Sequence, residues 1–408
     1  MDSPSFELTN RDLIELLAAL IQAELSHLRP ETSPILADLD WSMLTPLGQH
    51  ASSPGLALDS IERFALCSRI ADFFQLQSSG LEDRLLIGKT LGDWVTLILA
   101  SRAQGSRSLG FSTSGSTGQP KLCIHTWPSL VDEALFLRTQ LTSRLETESP
   151  RFLALAPCHH IYGFLLTLLV PALGSSQVIR GHRAYSLARS RQLQAGDILL
   201  GHPLIWNHLN NGTSFPDGVI GVTSTGPCDP ALIQALLSQG LGCMFEIYGA
   251  TETAGIGLRT HPAQPYQLMP RWQAGEDSLT DQNTQQVYPL MDTLDWLDSK
   301  HFHPQGRKDR VVQVGGVNVS LSHLEAQLER LDWVDRARVR KMQPQQEGER
   351  LKAFIVPKTS DLSVEQMRQQ LTDWCERNLT APQRPKHFTF GSALPVNAMG
   401  KAQDWPIR

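Results

Sequence analysis

From about residue 105 the sequence alternates short apolar runs with segments of helical character, and no other feature constrains the fold so tightly. Residues 152–156, 198–200, 219–222 and 244–247 are runs of strand length, and residues 230–238, between the last two, read as a helix. Strand and helix in that alternation describe βα units. An α/β fold with a largely parallel sheet is therefore expected.

The region before this core reads as helical. Thr9, Asn10, Arg11 and Asp12 form a candidate capping box, and Leu13, Leu16, Leu17, Leu20, Ile21 and Leu25 follow at helical spacing. Residues 30–54, which contain Pro and Ser, interrupt the pattern and read as a long loop. A second amphipathic segment starts at Asp59 and sets Ile61, Phe64, Ile70, Phe73 and Phe74 on one stripe; a third runs through Leu91, Trp94, Val95 and Ile98. Beyond Gly306, strands at 311–314 and 353–356 alternate with helices opened by Ser322-x-x-Glu325 and by Ser363-Val364-Glu365, an α+β pattern. Three regions are drawn on this basis: helical 1–104, 105–306 with the parallel sheet, and a small C-terminal 307–408.

The 408 residues suffice for two or three domains with cores of their own. A formal net charge of -5 gives no broad basic surface, so nucleic acid is not an expected partner. The longest apolar run, 164–173, is broken by Pro171 and is too short for a membrane span. Residues 1–13 lack the basic start and apolar stretch of a secretory leader. The 6 cysteines show neither CxxC nor CxxxH spacing, which argues against a disulfide framework or a zinc site and makes a reducing cytoplasm the simplest location.

Residues 112–121 read Ser-Thr-Ser-Gly-Ser-Thr-Gly-Gln-Pro-Lys. Hydroxyl side chains and glycines ahead of a lysine can form a loop whose N–H groups and hydroxyls surround phosphate oxygens, while Lys121 adds charge. The spacing of Gly115, Gly118 and Lys121 is not that of a Walker A loop. A flexible linker is the plain alternative, but it leaves the ordered Pro-Lys ending unexplained. The segment resembles the phosphate loop of adenylate-forming enzymes, the superfamily of acyl-CoA synthetases and carrier-protein adenylation domains. By that resemblance Thr113, Ser114, Gly115, Ser116, Thr117, Gly118 and Lys121 bind ATP.

Further segments resemble motifs of the same family, in the family's order. Pro157-Cys158-His159-His160-Ile161-Tyr162-Gly163 is similar to its PxxHxxG segment, which implies His160 beside the acyl group; read alone, His160 is a structural histidine. His159, Tyr162 and Cys228 are further pocket candidates. Thr225-Gly226-Pro227 resembles the turn that lies against adenine. Tyr248-Gly249-Ala250-Thr251-Glu252 closely resembles YGxTE. A tyrosine can stack on a purine, a threonine hydroxyl can reach a phosphate or carboxylate oxygen, and a glutamate offers a hard oxygen to Mg2+. Read alone, this segment is a strand end followed by a capped helix. Asp292 matches the ribose-binding aspartate, with Asp295 as the fallback because Leu290-Met291 stand where Thr-Gly is usual. The resemblance further implies a ribose contact for Arg307, a hinge at Asp309, and a thiol tunnel lined by Gly315 and Gly316. Leu394-Pro395 with Gly400-Lys401 resembles the motif carrying the catalytic lysine.

The implied activity is an acid–thiol ligase that adenylates a carboxylic acid, a small aromatic acid being the candidate, and passes the acyl group to CoA or to a carrier-protein phosphopantetheine. Glu252 would hold Mg2+, the loop would bind the β- and γ-phosphates, and Lys401 would bridge carboxylate and α-phosphate. Rotation about Asp309 would then clear Lys401 from the thiol's path. The sequence also departs from the family. Only 39 residues separate Glu252 from Asp292, and the region before the loop is too short and too helical to be the usual first subdomain. A truncated large domain is implied, its acyl pocket either open or completed by another chain. Leu56-Ala57-Leu58-Asp59-Ser60-Ile61-Glu62 resembles the Asp-Ser-Leu region of an acyl carrier protein, in which Ser60 would take phosphopantetheine; read alone, it is an ordinary Asp-capped helix, the favoured reading. The competing function is a non-catalytic module of this fold that binds a carrier protein. Retention of Thr251, Glu252 and Lys401 speaks against it.

Overall fold

The computed structural model describes residues 6–29, 39–48, 55–112, 121–147, 149–308, 310–342, 350–358, 362–395 and 403–407. Those up to 112, with 122–273 and 280–288, make one compact unit; 274–279 and those from 289 onward belong to a second.

The first unit opens with helices α1 (Asn10–Leu28), α2 (Ser60–Phe74) and α3 (Leu91–Ala103). Each starts at a capping box, Thr9 with Asp12, Asp59 with Glu62 and Thr90 with Asp93, so N–H groups left over at the helix start are satisfied locally. The expected stripe of α1 is fully buried, as are Leu91, Trp94, Val95 and Ile98 of α3. In α2 the stripe is rotated from the expected one. Ile61 and Phe64 are 74% and 64% exposed, while Glu62, Leu66, Ile70 and Phe73 face inward. The reason is polar. The Glu62 carboxylate closes the capping box and also takes two guanidinium donors of Arg29, just past α1, which fixes which side of α2 meets the rest.

Strands β1 (Ser108–Ser112) and β2 (Leu122–Thr126) pair antiparallel on either side of the candidate phosphate loop. Helix α4 (Trp127–Thr142) leads into β3 (Phe152–Ala154), β4 (Val178–Arg180), β5 (Ile198–Gly201), β6 (Ile220–Thr223) and β7 (Cys243–Ala250), which pair in parallel as expected. Strands β8 (Ala254–Arg259) and β9 (Tyr266–Leu268) extend the edge antiparallel, giving the order β9-β8-β7-β6-β5-β3-β4. Every residue of β3, β5 and β6 is buried, the pattern of a parallel sheet covered on both faces. The expected helix runs Pro230–Ser238, capped by Asp229. The boundary drawn after residue 104 is not a break: the three helices share one compact unit with the sheet, and Phe73 of α2 meets Phe111 of β1 edge-on at 5.0 Å.

The second unit is α+β. Strand Asp292–Trp296 pairs with His301–Arg307, and Val311–Val314 with Val317–Ser320. Strands Val334–Lys341, Leu351–Pro357 and Pro385–Phe390 form a sheet whose core includes Leu324 and Leu328 of helix Leu321–Leu328 and Leu371 and Cys375 of helix Val364–Asn378. Ser363 caps the later helix as expected. The earlier one is capped by Ser320, not Ser322. Glu325 is not spent on a cap because it turns inward, pairing with Arg310 at 2.8 and 2.9 Å and accepting the N–H of Val339 at 2.8 Å.

Candidate active site

The parallel strands deliver part of the candidate set to their C-terminal ends, where open α/β sheets bind ligands. His159 and His160 follow β3, His202 follows β5, Thr225 and Gly226 follow β6, and Thr251 and Glu252 follow β7.

The rings of His159 and His160 lie 4.1 Å apart between centroids. Burial pushes both imidazoles below their ordinary range, His159 to about 3, and the guanidinium of Arg69 depresses both further. They are uncharged near neutral pH. Arg69 belongs to α2 and donates to the hydroxyl of Ser112, the last residue before the candidate phosphate loop. The sequence reading missed it, since only the rotation of α2 shows which of its side chains reach β1. Tyr162 and Cys228 leave the pocket list. The buried Tyr162 hydroxyl sits between the carbonyls of Gly201 and Val222 at 2.8 and 3.0 Å, and Cys228 belongs to a core cluster with Leu199, Trp206 and Ile233.

After β6 the backbone turns at Thr225, whose φ is +74°, and Ser224 ties the turn to β7 by donating to the carbonyl of Ile247 at 2.8 Å. Tyr248 and Gly249 flank an irregularity in β7. A Cβ on Gly249 would stand 2.1 Å from the carbonyl oxygen of Ala254, so only glycine fits there. The plain reading of this segment as strand and capped helix is corrected: β7 doubles back into β8, and Thr251 and Glu252 occupy the turn between them. Glu252 is half-buried and makes no ion pair or side-chain hydrogen bond with a described residue. An unengaged carboxylate beside a threonine hydroxyl suits a hard cation. Among the described residues no group of three or more His, Cys, Asp or Glu side chains forms a metal cage. A single carboxylate of this kind fits a hard cation such as Mg2+ as one ligand among several.

In the second unit Asp292 stands directly opposite Arg307 in the strand register, whereas the fallback Asp295 pairs with His303 and is exposed. Gly315 and Gly316, with φ of +58° and +82°, form the two-residue turn of a hairpin rather than a strand, a geometry that selects glycine. Lys121, exposed, immediately precedes β2, and Ser60 is the exposed first residue of α2. Thr113, Ser114, Gly115, Ser116, Thr117, Gly118, Asp309 and Lys401 lie outside the described residues, as does the side chain of Arg307.

Residues 111–277 match the model of a family described as AMP-binding enzyme, and residues 323–401 match that of the AMP-binding enzyme C-terminal domain. Over 403 residues the chain is 37% identical to a 4-coumarate–CoA ligase of Halorhodospira halophila, covering 96% of this chain and 98% of that one. The chain belongs to the adenylate-forming enzymes. A second 4-coumarate–CoA ligase, of Rhodobacter capsulatus, is 35% identical over 397 residues, covering 96% and 99%. Among solved structures, an o-succinylbenzoate CoA synthetase from Bacillus subtilis shares the fold, with a TM-score of 0.56 at 18% identity over 72% of this chain and 67% of that one. These adenylate-forming relatives also account for the chain's brevity. The two ligases match it almost end to end, covering 96% of this chain and 98% and 99% of their own.

Proposed function

We propose that this chain is an acid–CoA ligase that adenylates a small aromatic acid of the 4-coumarate kind and passes the acyl group to CoA. The observation that carries the reading is the near-complete match to two 4-coumarate–CoA ligases. The geometry supports it by setting Thr251 and Glu252 after β7, Gly226 after β6 and the histidine pair after β3, all at one end of one sheet.

Carboxylate and triphosphate repel each other, and attack at the α-phosphate requires position and charge neutralisation more than covalent help. On this reading the first unit, with its three N-terminal helices, is the AMP-binding large domain, and residues 307–408 of the second are the mobile catalytic domain. Bound Mg2+ would screen the triphosphate, and Glu252 would hold it. Thr251 would orient the α-phosphate and carboxylate oxygens, Tyr248 and Gly226 would face adenine, and Asp292 with Arg307 would take the ribose hydroxyls. The loop 113–118 with Lys121 would hold the β- and γ-phosphates. His160 and His159, uncharged, would offer the aryl group a wall. Lys401 would join carboxylate to α-phosphate, then withdraw by rotation at Asp309 so that the thiol enters past Gly315 and Gly316.

The test is ATP–pyrophosphate exchange over aryl and fatty acids, followed by detection of the CoA thioester. Exchange with 4-coumarate well above that with fatty acids, and a thioester with free CoA, is the expected result. Absence of exchange with every acid overturns the reading.

A further inference from the structure

The turn that carries Thr251 and Glu252 is gripped by buried side chains for which the reaction has no direct use. His125, inward-facing on β2 and 4% exposed, donates from Nε2 to the carbonyl of Thr251 at 2.7 Å. Glu133, on α4 and also 4% exposed, accepts the N–H of Gly255 at 2.8 Å, while Trp272 Nε1 donates to the carbonyl of the same residue at 2.7 Å. The other Glu133 oxygen accepts from Arg271 at 3.0 Å, and Arg271 reaches on to Asp281 at 2.8 Å. The carboxylate is thereby fixed in orientation and its charge compensated.

These are costly groups to bury for a short turn. Desolvation raises the Glu133 carboxyl to about 7, against the pull of Arg271, and it lowers the His125 imidazole. An apolar neighbour could fill the same space without that cost, but it could not say where the backbone of residues 251 to 255 must lie. His125 has a second connection. It stands on the strand leaving the candidate phosphate loop, and its ring meets Phe111, on the strand entering that loop, edge-on at 5.8 Å.

We infer that His125 and Glu133 are positioning residues: His125 ties the Thr251–Glu252 turn to β2, Glu133 ties Gly255 to α4, and together they fix the backbone that presents the Glu252 carboxylate. The inference rests on the ligase reading above. Groups that orient a metal ligand without touching the metal commonly change affinity or activity by about 10- to 100-fold when removed.

His125→Phe keeps the ring's bulk and removes the donor; His125→Gln restores a donor. Asp197→Asn weakens the buried Arg151–Asp197 pair, at 2.8 and 2.7 Å in the same unit, without touching the turn, and serves as the control for simple destabilisation. In pyrophosphate exchange with ATP and 4-coumarate, H125F should raise the Mg2+ concentration for half-maximal rate by about tenfold or more, and H125Q should recover most of it. D197N should lower the melting temperature with the Mg2+ dependence unchanged. Without any nucleotide, amide hydrogen exchange in residues 251–255 should speed up in H125F and in Glu133→Gln but not in D197N. An H125F protein with wild-type Mg2+ dependence and wild-type protection of the turn overturns the inference. Wild-type protein inert with every acid overturns the ligase reading instead.

Discussion

His159 shows what burial does to a single side chain. Its imidazole is held near 3, first by desolvation and then by the neighbouring His160 and Arg69, so the folded chain binds the ring's proton less readily than the unfolded chain does. Because the folded value is depressed, the stability at stake is fully present above about pH 6.5 and is lost as pH falls from there toward about 3, at up to about 1.4 kcal/mol per unit. His159→Gln, which cannot take up that proton, should show a shallower decline of melting temperature than wild type between pH 6.5 and 4. Parallel profiles would exclude His159 as a source of acid sensitivity. Glu252 presents the opposite case, a half-buried carboxylate with no described partner. Glu252→Gln should fold with little change in stability yet lose pyrophosphate exchange by about a hundredfold, the usual scale for one electrostatic contact in a transition state. Both residues were legible in the sequence because their motifs set residue types at fixed spacing. His125, Glu133 and Arg271 were not. Each is an isolated polar residue in an unremarkable local context, and only the fold brings them to one turn.

At the scale of elements, α2 shows why a hydrophobic pattern alone can point a helix the wrong way. Ile61, Phe64, Ile70, Phe73 and Phe74 give a plausible stripe on paper, but the first turn is governed by Asp59 and Glu62, and Glu62 must reach Arg29. Periodicity counts apolar residues; it does not count a capping carboxylate with a second partner. Truncation measures the orientation directly. Ile70→Ala should cost about 2–5 kcal/mol by denaturant unfolding, as for a fully buried aliphatic side chain, whereas Phe64→Ala should lie within about 0.5 kcal/mol of wild type. A cost for Phe64→Ala as large as that for Ile70→Ala would put the helix in the sequence-predicted orientation, which buries both. Parallel strands β3, β5 and β6, by contrast, were readable nearly residue by residue, since a strand buried on both faces has no alternation to misread, whereas the three-residue, partly exposed β4 was missed. Strands β8 and β9 and the hairpin carrying Thr251 and Glu252 were missed because a strand-to-strand turn and a strand-to-helix turn draw on the same small and polar residues.

For the molecule as a whole, the proposed reading divides the chemistry between parts that the sequence places far apart. The carboxylate and hydroxyl of the YGATE segment lie on the first unit, while Asp292, Arg307 and the stretch leading to Lys401 belong to the second. On that reading a lysine that bridges carboxylate and α-phosphate has work only while the adenylate forms, and once the phosphate has become the leaving group the thiol would approach from where the lysine stood. The two half-reactions should therefore respond differently to Lys401→Ala. Pyrophosphate exchange should fall by about a hundredfold or more, because charge neutralisation at the reacting phosphate is lost. Chemically prepared 4-coumaroyl-adenylate, supplied with CoA, should still be converted to thioester at a rate within a few-fold of wild type, because that step needs the thiol's path and not the lysine. Melting temperature, followed in parallel, separates this outcome from misfolding, which would depress both steps together. Equal loss of exchange and of transfer from supplied adenylate, in a protein as stable as wild type, would mean that Lys401 serves both arrangements of the site and that no rotation removes it.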